Sequence, residues 1–206
     1  MNVELYRYLT RNRDKFLSPL TRVLAGLGIT PTMLNLLGVL FGFLSSIAFI
    51  KERRDTARNF LLISGVIDTL DGPLARTTKS ASPLGTVFDA SCDRAIDVMV
   101  YSAILIRAVL DRKMLLAYLS WTNLVIDTTR SYLRARAESE LGSLGTFEIG
   151  IMTRPRKFAL FLIGIAYPRF LFASLLISVL FSIIGLFQRL HSINLVYKST
   201  KKEKAK

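Results

Sequence analysis

The sequence has very few side chains suited to redox or zinc chemistry. Cys92 is its only cysteine and His191 its only histidine among 206 residues. A single cysteine excludes an internal disulfide, and the pair together is too few for a Cys/His metal cluster. His191 falls near the end of the last apolar stretch with no evident partner, so catalysis by histidine is disfavoured.

The sequence also lacks features that would divide it into parts. It has no internal repeat, low-complexity tract or long flexible linker. Its N-terminal residues lack the short apolar core and small-residue cleavage site of a removed signal peptide. We therefore expect one membrane domain over residues 1–206. Within it we expect an interfacial helix and lead-in over 1–30, a membrane core over 31–190 and a basic tail over 191–206.

Long apolar runs are what the sequence does have. Its residues are 51% hydrophobic and its mean hydropathy is +0.39. Because a bilayer core of roughly 30 Å needs about 20 apolar residues per helix, these runs predict an all-α integral membrane protein with six transmembrane helices. The predicted spans are Pro31 to Ile50, Asn59 to Ala75, Leu84 to Leu110, Met114 to Leu133, and two within Phe158 to Phe187, separated at Tyr167-Pro168-Arg169.

Basic residues flank these runs and give the chain a formal net charge of +13. Residues 3–24 mix leucines with arginines in a pattern typical of an amphipathic helix on the membrane surface, with a solvated tail as the alternative. With six crossings, most Lys and Arg residues fall on the side of both termini, which predicts that both termini are cytoplasmic. Anionic lipid headgroups explain the positive charge more simply than nucleic acid, and we expect no nucleic-acid partner.

Four aspartates lie in one short window, "DTLDGPLARTTKSASPLGTVFDASCD", residues 68–93. On helices, Asp68 and Asp71 share one face, and Asp89 and Asp93 share another. A short connection makes the two helices antiparallel neighbours, which brings all four carboxylates to one small volume at the cytoplasmic boundary. Such a cluster needs cations to remain ionised beside lipid. Oxygen-only ligands favour Mg²⁺, Mn²⁺ or Ca²⁺ over zinc, and two such ions could clamp a phosphoryl group.

Glycine and arginine residues accompany the aspartates. Gly72 and Gly85 remove side chains where a phosphate ligand would approach the backbone, and the planar fork of Arg76 suits a phosphate oxygen. Taken singly, each residue is equally well explained by helix packing or headgroup contact. Taken together, they match the pattern D-x2-D-G-x2-A-R-x8-G-x3-D-x3-D at Asp68, Asp71, Gly72, Ala75, Arg76, Gly85, Asp89 and Asp93.

This pattern is the signature of the CDP-alcohol phosphotransferase family, which the chain resembles over nearly its full length. The resemblance implies that the four aspartates hold two Mg²⁺ or Mn²⁺ ions. It implies that Gly72, Ala75, Arg76 and Gly85 bind the CDP part of a CDP-lipid, and that Asp93 is the base for the incoming hydroxyl. The expected reaction transfers a phosphatidyl-type group, built on diacylglycerol or archaeol, to a small polar alcohol and releases CMP. A homodimer in a prokaryotic cell membrane is also implied.

A second stretch indicates the acceptor alcohol. It is "RSYLRARAESELGSLGTFEIGIMTRPRK", residues 130–157. Arg130 and Arg134 are four residues apart, and one helical face carrying both would suit an acceptor phosphate. "SYLRARAE" and "GIMTR" resemble the branch that transfers to inositol phosphate, which implies that Arg134 and Arg154 bind the acceptor phosphate. An acidic residue is expected before Arg154, where this sequence has Thr153. Glycerol 3-phosphate, serine and a soluble inositol acceptor therefore remain open beside inositol 1-phosphate.

A small divalent-cation transporter is the alternative from a different class, since such proteins also bury carboxylates. Four acids near one boundary, accompanied by an arginine and glycines, suit a phosphate better than a bare cation. Two further acids also lie in apolar stretches. Asp97 is expected either behind the metal ligands or paired with Arg94, and Asp127 is expected to pair with an arginine such as Arg130.

Overall fold

The computed structural model describes residues 16–142 and 154–204, and these residues are helical apart from turns. No strand occurs in the described ranges, so the predicted all-α class is confirmed. Helix α1 covers residues 16–26. The others are α2 (Pro31–Ile50), α3 (Arg54–Thr77), α4 (Pro83–Leu110), α5 (Met114–Leu141), α6 (Arg154–Ala166) and α7 (Pro168–Lys204).

Within residues 16–142 and 154–204, two helices have the length and apolar composition to cross a bilayer. They are α2 over Pro31–Ile50 and α7 over Pro168–Lys198, judged by those two criteria alone. The predicted break in the last apolar stretch is confirmed, because α6 ends at Ala166 and α7 begins at Pro168. The residues predicted as a basic tail are helical as far as Lys204.

Side chains cap two of the helix starts. The backbone N–H of Met33 donates to Thr30 Oγ1 at 3.2 Å at the start of α2, and the N–H of Gly85 donates to Ser82 Oγ at 3.0 Å at the start of α4. Each capping hydroxyl satisfies a donor that the helix leaves unpaired. In both helices the next residue is a proline, which suits the first helical position because no N–H is needed there.

The described chain forms two compact units. Of the described residues, 16–48 and 56–100 belong to the first unit, in which α2 contacts α3 and α4. Ser64 Oγ donates to the Gly38 carbonyl at 2.8 Å, and a Cβ at Gly42 would lie 3.2 Å from Ile96 Cγ1. Gly38 and Gly42 of α2 therefore lie against α3 and α4 of the same chain.

Of the described residues, 49–55, 101–142 and 154–204 belong to the second unit. Helices α5 and α6 both pack on α7. Asn123 Nδ2 donates to the Leu175 carbonyl at 3.1 Å, and a Cβ at Gly164 would lie 2.9 Å from Leu171 Cδ1. Serines of α7 are buried along this packed face, at positions Ser174, Ser178 and Ser182.

Large apolar side chains cover the outward faces of α2 and α7. The exposed ones include Leu36, Leu37, Leu40 and Phe43 on α2 and Phe172, Leu176, Leu180, Ile184 and Phe187 on α7. Polar serines on the same helices are buried instead. Apolar side chains outside and polar ones inside are what helices surrounded by lipid require, because a polar group facing hydrocarbon is left without a partner.

Candidate active site

Three of the four predicted metal ligands converge in the first unit. Asp68 of α3 and Asp89 and Asp93 of α4 each offer a carboxylate oxygen, and these oxygens lie within 4.8 Å of one another. Asp71 is close enough to Asp89 for a side-chain hydrogen bond between them. Carboxylate oxygens at this spacing suit a hard divalent cation, so these residues fit the metal that the resemblance implies.

A cavity of about 800 Å³ lies beside two of these aspartates, Asp71 and Asp89. The four residues predicted for CDP all line it, namely Gly72, Ala75, Arg76 and Gly85. The structure thus brings the predicted nucleotide residues together in one space large enough for a small ligand.

Two of the glycines that line the cavity, Gly72 and Gly85, lie close to polar side chains. A Cβ at Gly72 would lie 3.5 Å from Arg76 Nη1, so the guanidinium of Arg76 folds back over the backbone of Gly72. A Cβ at Gly85 would lie 3.2 Å from Ser82 Oγ, the hydroxyl that caps α4. Gly85 therefore keeps the cap of α4 intact as well as keeping the cavity open.

The start of α2 also lines this cavity, although the signature motif does not include it. Thr30, Pro31, Thr32 and Asn35 all contribute to its wall. The composition of Pro31 to Ile50 predicts only an apolar span. An asparagine near the beginning of such a span was the signal that could have identified this wall.

Asp127 is the centre of a buried polar cluster in the second unit. Its Oδ2 accepts from Tyr101 Oη at 2.6 Å and from Lys157 Nζ at 3.0 Å. Its Oδ1 accepts from Ser182 Oγ at 3.3 Å and lies 3.7 Å from Arg130 Nη1. The predicted pairing of Asp127 with Arg130 is confirmed, whereas the closer partners Lys157 and Tyr101 were missed.

Of the other predicted acceptor residues, Arg134 lies in α5 and Arg154 lies at the start of α6. Arg134 Nε donates to Glu138 Oε1 at 2.8 Å, one turn further along α5. Arg154 begins α6, but its side chain and Thr153 lie outside the described residues. Asp97 pairs with Arg94 at 2.9 Å, which was one of the two roles expected for it.

Comparison with known proteins identifies the class. Residues 29–191 match the family model for CDP-alcohol phosphatidyltransferase, and the chain belongs to this family of phospholipid-biosynthesis transferases. Among its curated relatives is archaetidylinositol phosphate synthase of Pyrococcus horikoshii. The two are 33% identical over 159 residues, covering 76% of this chain and 81% of the relative.

Solved structures agree with this assignment. Phosphatidylinositol phosphate synthase of Mycobacterium tuberculosis, with CDP-DAG bound, is similar with a TM-score of 0.78 and 26% identity over 87% of this chain and 94% of that one. The same enzyme in complex with manganese and citrate gives a TM-score of 0.76 and 27% identity, over 85% of this chain and 87% of that one.

Proposed function

We propose that this protein transfers a phosphatidyl-type group from a CDP-lipid to the hydroxyl of inositol 1-phosphate and releases CMP. The observation that carries this proposal is the convergence of Asp68, Asp89 and Asp93 in the unit that also holds the cavity lined by Gly72 and Arg76. A carboxylate cluster with a neighbouring cavity for a nucleotide is what transfer from a CDP-lipid needs.

In the proposed reaction Asp93 takes the proton of the acceptor hydroxyl. The acceptor oxygen forms a bond to the lipid-linked phosphorus, and the bond from that phosphorus to the CMP oxygen breaks, so that CMP departs with the electron pair. Two divalent cations, Mg²⁺ or Mn²⁺, held by Asp68, Asp71, Asp89 and Asp93 would neutralise charge developing on the phosphate oxygens. A phosphodiester is the product.

Residues around the cavity bind the donor in this proposal. Arg76 lies against Gly72, where its guanidinium can bind a diphosphate oxygen through two N–H groups. The cavity wall carries little or no side chain at Gly72, Ala75 and Gly85, so that the diphosphate can approach the backbone. The structural relative with CDP-DAG bound supports a CDP-linked lipid as the donor. Diacylglycerol and archaeol remain alternative lipid parts.

The acceptor phosphate is assigned to Arg134 and Arg154, with Arg130 as a third candidate. Relatives named for archaetidylinositol phosphate and phosphatidylinositol phosphate synthesis support inositol 1-phosphate as the acceptor. Thr153, where an acidic residue is expected, keeps glycerol 3-phosphate, serine and a soluble inositol acceptor in the panel of alternatives.

For the whole chain we propose one domain with six membrane spans, an interfacial N-terminal helix, and an active site at the cytoplasmic boundary of a prokaryotic membrane. Both termini are assigned to the cytoplasm because basic residues concentrate on their side. Exposed apolar faces on α2 and α7 support a lipid environment. We propose a homodimer as the working form, as the family resemblance implies.

The test is CMP release by purified protein in lipid or detergent, given a CDP-lipid, Mg²⁺ and separate acceptors. We expect release with inositol 1-phosphate that stops when EDTA removes the metal. Release with glycerol 3-phosphate or serine instead would change the acceptor and keep the reaction class. Absence of release with every acceptor, from folded protein that binds metal, would favour the divalent-cation transporter.

A further inference from the structure

Helices α5 and α7 contact each other in a constant register. Asp127 and Ser182, which are hydrogen-bonded, lie 55 positions apart in the chain. One turn further along both helices, Arg130 and Gly185 have the same separation, and a Cβ at Gly185 would lie 2.9 Å from Arg130 Nη2. Residues at this separation therefore face each other across the two helices, and the spacing repeats with each turn.

One turn before that hydrogen bond, the same register places Asn123 of α5 opposite Ser178 of α7. Asn123 is 0% exposed and Ser178 is 1% exposed. Asn123 Nδ2 donates to the carbonyls of Leu119 and Leu175. Since Leu175 lies three residues before Ser178, the two share one face of α7. The side chains of Asn123 and Ser178 therefore border one small volume between the helices.

Each of these two side chains has a buried polar atom that no residue of the described ranges satisfies. These atoms are Asn123 Oδ1 and Ser178 Oγ. A buried polar group without a partner costs free energy, so native proteins satisfy nearly all such groups, either with other protein groups or with ordered water. Two such atoms that border the same volume indicate one partner shared between them.

The surroundings select a small and neutral partner. Lys157 and Arg130 both lie beside Asp127, one turn away, and their positive charges disfavour a further cation. An anion is disfavoured because Asn123 Oδ1 can only accept hydrogen bonds. A ligand larger than water would hold α5 and α7 further apart than the direct contact between Asp127 and Ser182, at 3.3 Å, allows.

We propose that α5 and α7 hold one buried water molecule between Asn123 and Ser178. The water donates to Asn123 Oδ1 and accepts from Ser178 Oγ, so that both atoms gain a partner. This binding site is independent of the proposed transferase reaction. It would fix the register of α5 and α7 at the turn before the Asp127 cluster.

The depth of the site explains why a bound water is needed there. Helix α7 has the length and composition to cross a bilayer, and Ser178 lies about ten residues after its first residue, Pro168. That is about 15 Å along a helix, or half of a bilayer core of roughly 30 Å. Bulk water does not reach polar groups at this depth, so they need a partner inside the protein.

A high-resolution density map of the whole protein tests the site directly. We expect a peak within about 2.5–3.0 Å of both Asn123 Oδ1 and Ser178 Oγ. A direct hydrogen bond between the two side chains would overturn the proposal, as would two unbonded atoms with no peak between them. Shorter distances of about 2.0–2.6 Å to several oxygens would identify a metal cation, which would also overturn it.

Thermal unfolding in detergent provides a second test that needs neither turnover nor a map. Ser178→Ala removes one of the two protein partners of the water, and we expect the unfolding temperature to fall by about 2–4 °C. Ser120→Ala is the matched control. Ser120 Oγ donates directly to the Tyr101 carbonyl at 2.8 Å, and losing that hydrogen bond should lower the unfolding temperature by a similar amount.

The sign of the Ser178→Ala effect decides between a hydrated and a dry site. At a dry site the hydroxyl has no partner, and replacing it with a methyl group removes the cost of burying it. An unfolding temperature that stays the same or rises in Ser178→Ala, while Ser120→Ala lowers it, would therefore overturn the proposal.

Discussion

Lys157 Nζ of α6 lies 3.0 Å from Asp127 Oδ2 of α5, and both side chains are almost completely buried. Tyr101 of α4 donates to the same carboxylate oxygen, and Ser182 of α7 donates to the other. One carboxylate thus connects four helices of the second unit. The apolar surroundings strengthen these contacts and penalise the loss of any partner.

Breaking this pair should destabilise the protein strongly. In Asp127→Asn, Lys157 and Arg130 lose their counter-charge, and removal of one partner of a buried pair costs about 3–5 kcal/mol of unfolding free energy. Thermal unfolding in detergent measures the effect. The exposed pair Arg136–Glu140, at 2.7 Å, is the control, and Arg136→Ala should change stability by less than about 1 kcal/mol. Equal losses in the two variants would argue against a structural role for the Asp127 cluster.

The contact between α6 and α7 requires a glycine at position 164. A Cβ there would lie 2.9 Å from Leu171 Cδ1 and 3.3 Å from the backbone Cα of Leu171. Gly164→Ala should therefore lower the unfolding free energy by about 1–3 kcal/mol. Gly26→Ala, where nothing lies within 4 Å, should be neutral or slightly stabilising because alanine favours helix. If the Gly164 variant is as stable as the Gly26 variant, the two helices are not packed this closely.

Metal binding should depend on the aspartates of α3 and α4. Asp68→Asn, Asp89→Asn and Asp93→Asn each remove a carboxylate from the cluster, and each should weaken Mn²⁺ binding by more than about tenfold. Binding is followed by calorimetry or by the electron paramagnetic resonance of free Mn²⁺. Asp111→Asn, outside this cluster, is the control. Unaltered Mn²⁺ affinity in all three variants would place the metal elsewhere.

Arg134 should affect the acceptor more than the donor. Loss of a charged hydrogen bond to a phosphate corresponds to about 1.5–3 kcal/mol, so Arg134→Ala should raise the KM for the acceptor about tenfold or more and leave the KM for the CDP-lipid nearly unchanged. Arg136→Ala removes a neighbouring arginine that pairs with Glu140 and should change neither. Equal effects of Arg134→Ala on both substrates would remove it from the acceptor site.

The turn after α4 should respond to acid. The Arg107 guanidinium beside Asp111 lowers the pKa of that carboxyl below its ordinary value. A lowered pKa in the folded state means that the pairing stabilises the protein above the ordinary aspartate pKa, about 3.9, and is lost as pH falls through the folded-state value. Asp111→Asn should thus lower the unfolding temperature at pH 7 and have a smaller effect near pH 3. A pH-independent difference would contradict this pairing.

The sequence by itself determined the class of this protein. The apolar runs predicted helices, the break at Tyr167 followed from a proline beside a charge, and the spacing of Asp68, Asp89 and Asp93 predicted convergence. Each of these inferences is local, because helical periodicity fixes which neighbouring residues share a face. A motif contained in two consecutive helices is therefore readable without knowing how distant helices pack.

Only the tertiary structure decided which distant residues pair with a buried polar group or line the same cavity. Lys157 follows Asp127 by 30 positions and reaches it because α5 and α6 both pack on α7. Asn35 lies in α2 and Asp71 lies in α3, yet both line one cavity. Such contacts depend on how helices pack, and helical periodicity within one segment carries no information about the residues of another helix that will face it.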